Sequence, residues 1–496
     1  MKKLYIIILA VLGMTTTSCL DKMPTDAYLQ KDAMKTFTDA EQTVNGIYAS
    51  FKSSALHSGT LTVAQDIQAD LVHKVAGDQL NTFGTFWDWN FLPNDGQITG
   101  VYAQLYGIIG QCNFFLEKAD QVEANLHTDE QFDLFYSMKG EVYFARAFAY
   151  SELIRVFCKA YTPEIGDQAE MGVVLSTSYT TKPEPIRATL NESYKLVLDD
   201  LNMAKNLINS PGNVFNAIYF TEGTVDALLA RVHLYMQNWD KAIEHSTAVI
   251  EDEEAGYELA NTNPYGEGSY LTHLWKEDSS YEVIFKVGFT INSYGGALGA
   301  PFLNYNFVDY RPVYVPSTWA LNLYDYEDMR YQTYFGDQKT GYEHGLEWPL
   351  LIKYLGNPTF LNQNIVGVNM PKIFRLAEQY LIRAEAYCEK GAYDLASADI
   401  TTIHKARFQT ASGANLNAEN WLDEISDERV RELFMEGHRL TDLKRWKKGF
   451  KREEQLHTQS PNNELKIEAT DHRFVWPIPL HEVQAPGSKV KQNEGY

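Results

Sequence analysis

The sequence predicts a mainly α protein of about four helix pairs, interrupted by loop-rich insertions and short β-hairpins. Two observations lead there. Residues 225–250 and 375–407 each hold two runs of apolar and small side chains at helical spacing, divided by a single break. Residues 53–100, 256–370 and 450–496 lack that period: the first is mixed, with several glycines and an aromatic knot at 83–91, the second is rich in Tyr, Gly, Asn and Pro, and the third is polar with late prolines. The chain has 496 residues, 45% hydrophobic and 22% charged, which is enough to bury a large core and excludes a disordered, collagenous or coiled-coil protein.

Taken in order, the N-terminus comes first. Lys2 and Lys3 precede an apolar run at 4–14, too short to span a bilayer, and then small residues lead directly to Cys19. This pattern resembles a bacterial lipoprotein signal, so 1–18 is predicted to be removed and Cys19 to carry lipid. Several acyl chains hold a protein at a membrane without a spanning helix, at ~0.8 kcal/mol per buried CH₂. Residues 37–51 and 101–119 then read as one helix pair, and 138–157 with 190–208 as a second that flanks a long insertion. The stretch 225–250 breaks at Gln237-Asn238, and its Ala230 and Ala242 are twelve apart. That matches the two small positions of a tetratricopeptide repeat, where paired helices approach closely. The stretch 375–407 repeats the scheme with Ala384, Ala396 and a turn at Gly391. Cys112, Cys158 and Cys388 lie in apolar helical stretches and read as buried thiols. Residues 282–289 look β-like, and the acidic 251–254 reads as a solvated loop.

The formal charge of −22 argues against a broad nucleic-acid surface and against docking on anionic lipid through basic residues. No HExxH, GxSxG or Walker loop occurs, so no catalytic residue, metal site or cofactor is predicted. YGGALG at 294–299 lacks the spacing of a dinucleotide fingerprint and reads as a flexible loop. His438, Arg439, Asp442 and Arg445, with Glu436, read as a buried ion-pair network rather than a metal or catalytic cluster.

Five stretches carry a resemblance to a known family. They are CLDKMP at 19–24, VPSTWALNLYDYEDMR at 315–330, RLAEQYLIRAEAY at 375–387, ERVRELFMEGHRLTDLKRW at 428–446, and the ending FVWPIPLHEVQAPGSKVKQNEGY. Together, in this order, the chain resembles the SusD/RagB outer-membrane lipoproteins. The resemblance implies a SusD-like fold in which 19–496 form one domain. It implies a tetratricopeptide-like scaffold over about 35–255 and 371–450, and a ligand-binding insertion over about 256–370. It also implies a lipid-anchored protein on the outer membrane, facing the cell exterior, that captures a glycan and delivers it to a SusC-like TonB-dependent transporter. The helix pairs would face that transporter.

A sugar ring needs an aromatic platform with polar groups fixed beside it. TFWDWNF at 85–91 supplies both, as an extended strand or as a loop, and the resemblance favours Trp87 and Asn90 there, with Trp89 beside them. Asp70 is a candidate polar contact. The insertion offers Tyr294, Tyr305, Tyr310 and Tyr314, with Trp319 more suited to packing at the start of a helix. Three other readings stay open: a secreted glycoside hydrolase, a repeat-scaffold adaptor and a peptide-binding member of the same family.

Overall fold

The structure is a computed structural model. It describes residues 33–496 apart from 79, 180–183, 213, 215–216, 343–348, 411–412 and 460–464. The signal 1–18 and Cys19 lie outside the described residues.

The predicted helix pairs form, each started by a local signal. Helix α1 (Phe37–Ser50) opens on a capping box, in which the Thr36 hydroxyl accepts from the Asp39 amide and the Asp39 carboxylate accepts from the Thr36 amide. A helix not foreseen in the sequence, α2 (Thr60–Gln68), follows it and is buried on every side. That burial erases the amphipathic period by which helices are recognised. Helices α3 (Gly96–Glu123) and α4 (Asp129–Phe157) start earlier than their apolar period, at side-chain caps on Asp95 and Thr128. Helix α5 (Leu190–Leu207) packs on α4.

Helices α6 (Glu222–Tyr235) and α7 (Trp239–Ile250) turn at Gln237, and α8 (Leu376–Glu389) and α9 (Tyr393–Arg407) turn at Gly391, whose φ is +75°. The small positions do what their spacing predicted. Ala230 and Ala242 meet in one buried cluster with Leu234, Ile382 and Ala386, which joins the third pair to the fourth, and Ala384 and Ala396 meet in another. Two further helices, α10 (Trp421–Leu433) and α11 (Arg439–Arg445), close the helical part, separated by Gly437 at φ +85°.

The strands are short and pair two by two. Strand β1 (Val72–Lys74) runs antiparallel to β3 (Tyr314–Pro316). Strand β2 (Val283–Lys286) runs antiparallel to β4 (Lys372–Arg375), and β5 (Phe450–Arg452) to β6 (Leu465–Ile467). The fold is therefore mainly α. Its largest apolar core joins α1, α3, α4, α6, β2 and β4. Cys112, Cys158 and Cys388 are free and buried. Among the described residues no helix is long and apolar enough to cross a membrane.

Of the expected network, Glu436, Arg439, Asp442 and Arg445 form ion pairs, mostly between elements rather than along one helix, whereas His438 has none among the described residues and its Nδ1 is unpartnered. Glu432 accepts from Arg375 at 2.9 Å, from Arg407 at 2.8 and 2.9 Å, and from Arg330 at 2.9 Å. These three arginines hold its carboxyl well below the usual range against the opposing effect of burial. The amides of Gly437 and Arg439 donate to Asp66, whose carboxyl burial pushes up to about 7.

Candidate functional site

The tyrosine-rich insertion folds into a pinned loop rather than a flexible one. The Gly299 amide donates to the Gly367 carbonyl at 3.0 Å. A Cβ on Gly299 would stand 2.1 Å from the Tyr354 carbonyl oxygen, and one on Gly295 2.2 Å from that of Lys52. Glycine is needed here for close backbone approach, which corrects the reading of 294–299 as flexible.

Beyond this anchor the chain makes a tight turn. The Asn306 side-chain oxygen accepts from the amides of Val308 and Asp309, each at 2.9 Å, and its NH₂ donates to the Asp309 carboxylate at 2.8 Å. The turn brings Tyr305 and Tyr310 face to face across an antiparallel bridge, ring centroids 4.6 Å apart and planes 31° apart. Phe307 stands at the tip, 60% exposed, 5.6 Å from Tyr305. Beneath the two tyrosines lies a cavity of about 220 Å³, walled by Leu303, Leu355, Leu361 and Val366, with Asn304 at its edge. Asp309 and Arg311 stand beside the turn, 3.5 Å apart. Burial and the neighbouring Tyr305 raise the Tyr310 hydroxyl's pKa, so it stays protonated and able to donate at neutral pH.

Aromatic faces over an apolar floor, with an amide, a carboxylate and a guanidinium nearby, have the chemistry that a ring with hydroxyls at its edge requires. Among the described residues, none that lines the cavity is an acid. The described part of the wall thus holds no carboxylate pair of the kind that glycoside hydrolysis requires.

The structure brings Tyr305 and Tyr310 together, while Tyr294 packs elsewhere on the insertion. Tyr294 is 43% exposed and packs on Phe360, whose neighbour Leu361 lines the cavity. The other expected contacts are elsewhere. Residues 84–87 form a helical turn, and Phe86, Trp87, Trp89 and Phe91 all point into the core. The Trp87 indole donates to the Val72 carbonyl at 3.4 Å and lies under the Arg452 guanidinium. The Trp89 indole donates to the Gln68 carbonyl at 2.6 Å and packs between Phe450 and Phe474. Neither tryptophan offers a ring face to solvent, which corrects the expectation of a platform at 85–91. Asn90 is exposed, but the Trp87 ring expected to converge with it is turned into the core.

Asp70 is likewise occupied. It is buried and takes two hydrogen bonds from Arg439, at 2.9 and 2.8 Å. Tyr314 is buried in β3, its hydroxyl donating to the Thr82 carbonyl at 2.8 Å. Trp319 sits in a one-turn helix, Thr318–Leu321, and its ring covers the Arg439 guanidinium 5.2 Å away. It therefore packs over the Arg439–Asp70 pair while leaving 38% of its surface exposed. Sequence reasoning missed Phe307, Asn304 and the apolar wall. Only the Asn306–Asp309 turn residues signalled a tight tip; the wall residues Leu355, Leu361 and Val366 come from a separate segment with no distinguishing pattern.

Two family models match the chain. One, described as the SusD family, matches residues 313–496, and the other, described as starch-binding associating with the outer membrane, matches 20–234. A SusD-like protein P2 of Formosa agariphila is 29% identical over 259 residues. That match takes in 51% of this chain and 47% of the relative, so it spans about half the relative's length. A solved SusD superfamily protein of Bacteroides thetaiotaomicron is 25% identical, with a TM-score of 0.79 over 92% of this chain and 99% of that one. A solved laminarin-binding SusD-like protein shares the fold, with 19% identity and a TM-score of 0.70 over 93% of this chain and 100% of that one.

Proposed function

The chain belongs to the SusD family, and from that premise we propose that it is a glycan-binding protein of the outer membrane. The observation that carries this reading is the Tyr305–Tyr310 pair set over its apolar cavity beside Asn304. Its ligand is an oligosaccharide held by ring stacking on the tyrosines and by polar contacts at the ring edge. The family membership further supports an anchor through lipid on Cys19, an outward-facing position, and delivery of the captured glycan to a SusC-like TonB-dependent transporter. The family's character supports binding rather than hydrolysis, as does the lack of acids among the described residues of the cavity wall.

Calorimetric titration of the chain from residue 20 onward, with neutral oligosaccharides including laminari-oligosaccharides, tests the reading. Saturable binding without release of shorter sugars is expected. Sugar release would instead support a hydrolase, and failure of every glycan to bind would leave an adaptor as the better account. For the partner, an outer-membrane barrel is expected to co-purify with the full chain, and its absence from such preparations would count against delivery.

A further inference from the structure

A second concavity lies between α1, residues 218–219 and the end of β2. It has a volume of about 270 Å³ and is lined by Asn45, Tyr48, Lys52, Tyr219, Phe285 and Val287 among others. Its walls are held rigidly. The Tyr48 hydroxyl accepts from the Phe220 amide at 2.8 Å and donates to the Glu141 carboxylate at 2.7 Å, and its ring stacks on Phe220 with centroids 4.6 Å apart. Tyr219 meets Tyr48 edge-on at 5.8 Å and stays 51% exposed, so it presents a free aromatic surface at the mouth. Small-molecule sites start at roughly 300 Å³, so this groove suits one or two rings rather than a long chain.

Lys52 gives the groove its chemistry. Its ammonium is half-buried and held by the Ser293 hydroxyl at 3.0 Å and the Ser293 carbonyl at 3.4 Å, both uncharged. Burial lowers its pKa, and no acid counteracts that. Among the described residues no carboxylate pairs with this cation, so its charge is open to an anionic group, with which it would form charge-assisted hydrogen bonds.

The groove is also joined to the tyrosine cavity. Ser293, which holds Lys52, and Gly299, which lines the cavity, are six residues apart on one loop, hence at most about 21 Å. Tyr294 lies on that loop between them and is exposed.

We propose that this groove is a second saccharide subsite, in which Tyr219 stacks on the ring and Lys52 pairs with a carboxylate or sulfate group. The protein then prefers acidic oligosaccharides over neutral ones of equal length. The proposal rests on the glycan-binding reading and adds charge selectivity to it.

The test titrates the wild-type chain, Lys52→Met and Tyr219→Ala with three probes: a laminari-oligosaccharide, an oligogalacturonate and a sulfated galactan oligosaccharide. Lys52→Met keeps the apolar stem, and circular dichroism of each variant confirms the fold. The wild type is expected to bind one of the acidic probes tightest, with affinity falling as salt rises. Lys52→Met should lose roughly tenfold for that probe and leave the neutral one unchanged; Tyr219→Ala should weaken the acidic probe as well. The carboxylated and sulfated probes decide which anion is taken. Neutral binding with no preference for acidic probes, or an acidic preference that survives Lys52→Met, overturns the subsite and leaves the general reading standing. No binding of any probe overturns both.

Discussion

Arg439 clasps Asp70 through two parallel hydrogen bonds of 2.9 and 2.8 Å, with the Trp319 ring covering the guanidinium. The pair ties the start of α11 to the segment between α2 and β1, and both side chains are buried. Removing one partner leaves the other charge buried and uncompensated, which costs roughly 3–5 kcal/mol. Asp70→Ala is therefore expected to lower unfolding free energy by about that amount in urea titration. Its folded fraction should bind glycan as the wild type does. A selective affinity loss with unchanged stability would return Asp70 to the binding surface.

The same contrast applies to the aromatic knot. Trp87 and Trp89 are fully enclosed, each with its indole N–H bonded to a backbone carbonyl. Truncating a buried tryptophan to alanine typically costs roughly 3–5 kcal/mol. Trp87→Ala and Trp89→Ala should each reduce the denaturation midpoint sharply, and affinity should scale with the folded fraction. A variant with native stability and abolished binding would contradict the core assignment.

These two residues also mark where sequence reading stops. A run such as TFWDWNF is equally good material for a core and for a ligand platform. What decides between them is the Arg452 guanidinium, which donates to the Trp87 carbonyl at 2.6 Å from 365 residues away. The helix pairs were legible because their signal is local: Ala230 and Ala242 carry the period and the small size, and they meet as expected. Helix α2 was not, since burial on all sides removes any period. Tyr305 and Tyr310 stood out by their place in a tyrosine-rich insertion. The wall formed by Leu355, Leu361 and Val366 is assembled only by tertiary folding.

Glu141 predicts a pH dependence. It is half-buried, accepts from the Tyr48 hydroxyl, and burial pushes its pKa up to about 7. An acid whose folded pKa exceeds its unfolded value favours the native state when protonated. That contribution is complete below the unfolded pKa, near ~4.3, and is lost as pH rises through about 7. Glu141→Gln keeps an acceptor for Tyr48 and cannot ionise. Between pH 5 and pH 8 the wild type should lose, relative to Glu141→Gln, stability on the order of 2 kcal/mol. Parallel stability profiles for the two proteins would refute the assignment.

The tyrosine pair carries the sharpest functional expectation. Tyr305 and Tyr310 are each half-buried and contribute to an exposed turn that Asn306 holds by its own hydrogen bonds. Their replacement should therefore affect binding more than folding. Aromatic stacking contributes about 0.5–1.5 kcal/mol beyond area burial, which corresponds to roughly a two- to tenfold change in affinity. Tyr305→Leu and Tyr310→Leu keep apolar bulk over the cavity and remove the flat face. Each should weaken a neutral oligosaccharide by that factor, with the denaturation midpoint nearly unchanged, and the double variant should lose more than either alone. The two losses are not expected to add, because the rings contact each other at 4.6 Å and removing one frees the other to reorient. If both single variants titrate like the wild type, the glycan does not lie on this pair.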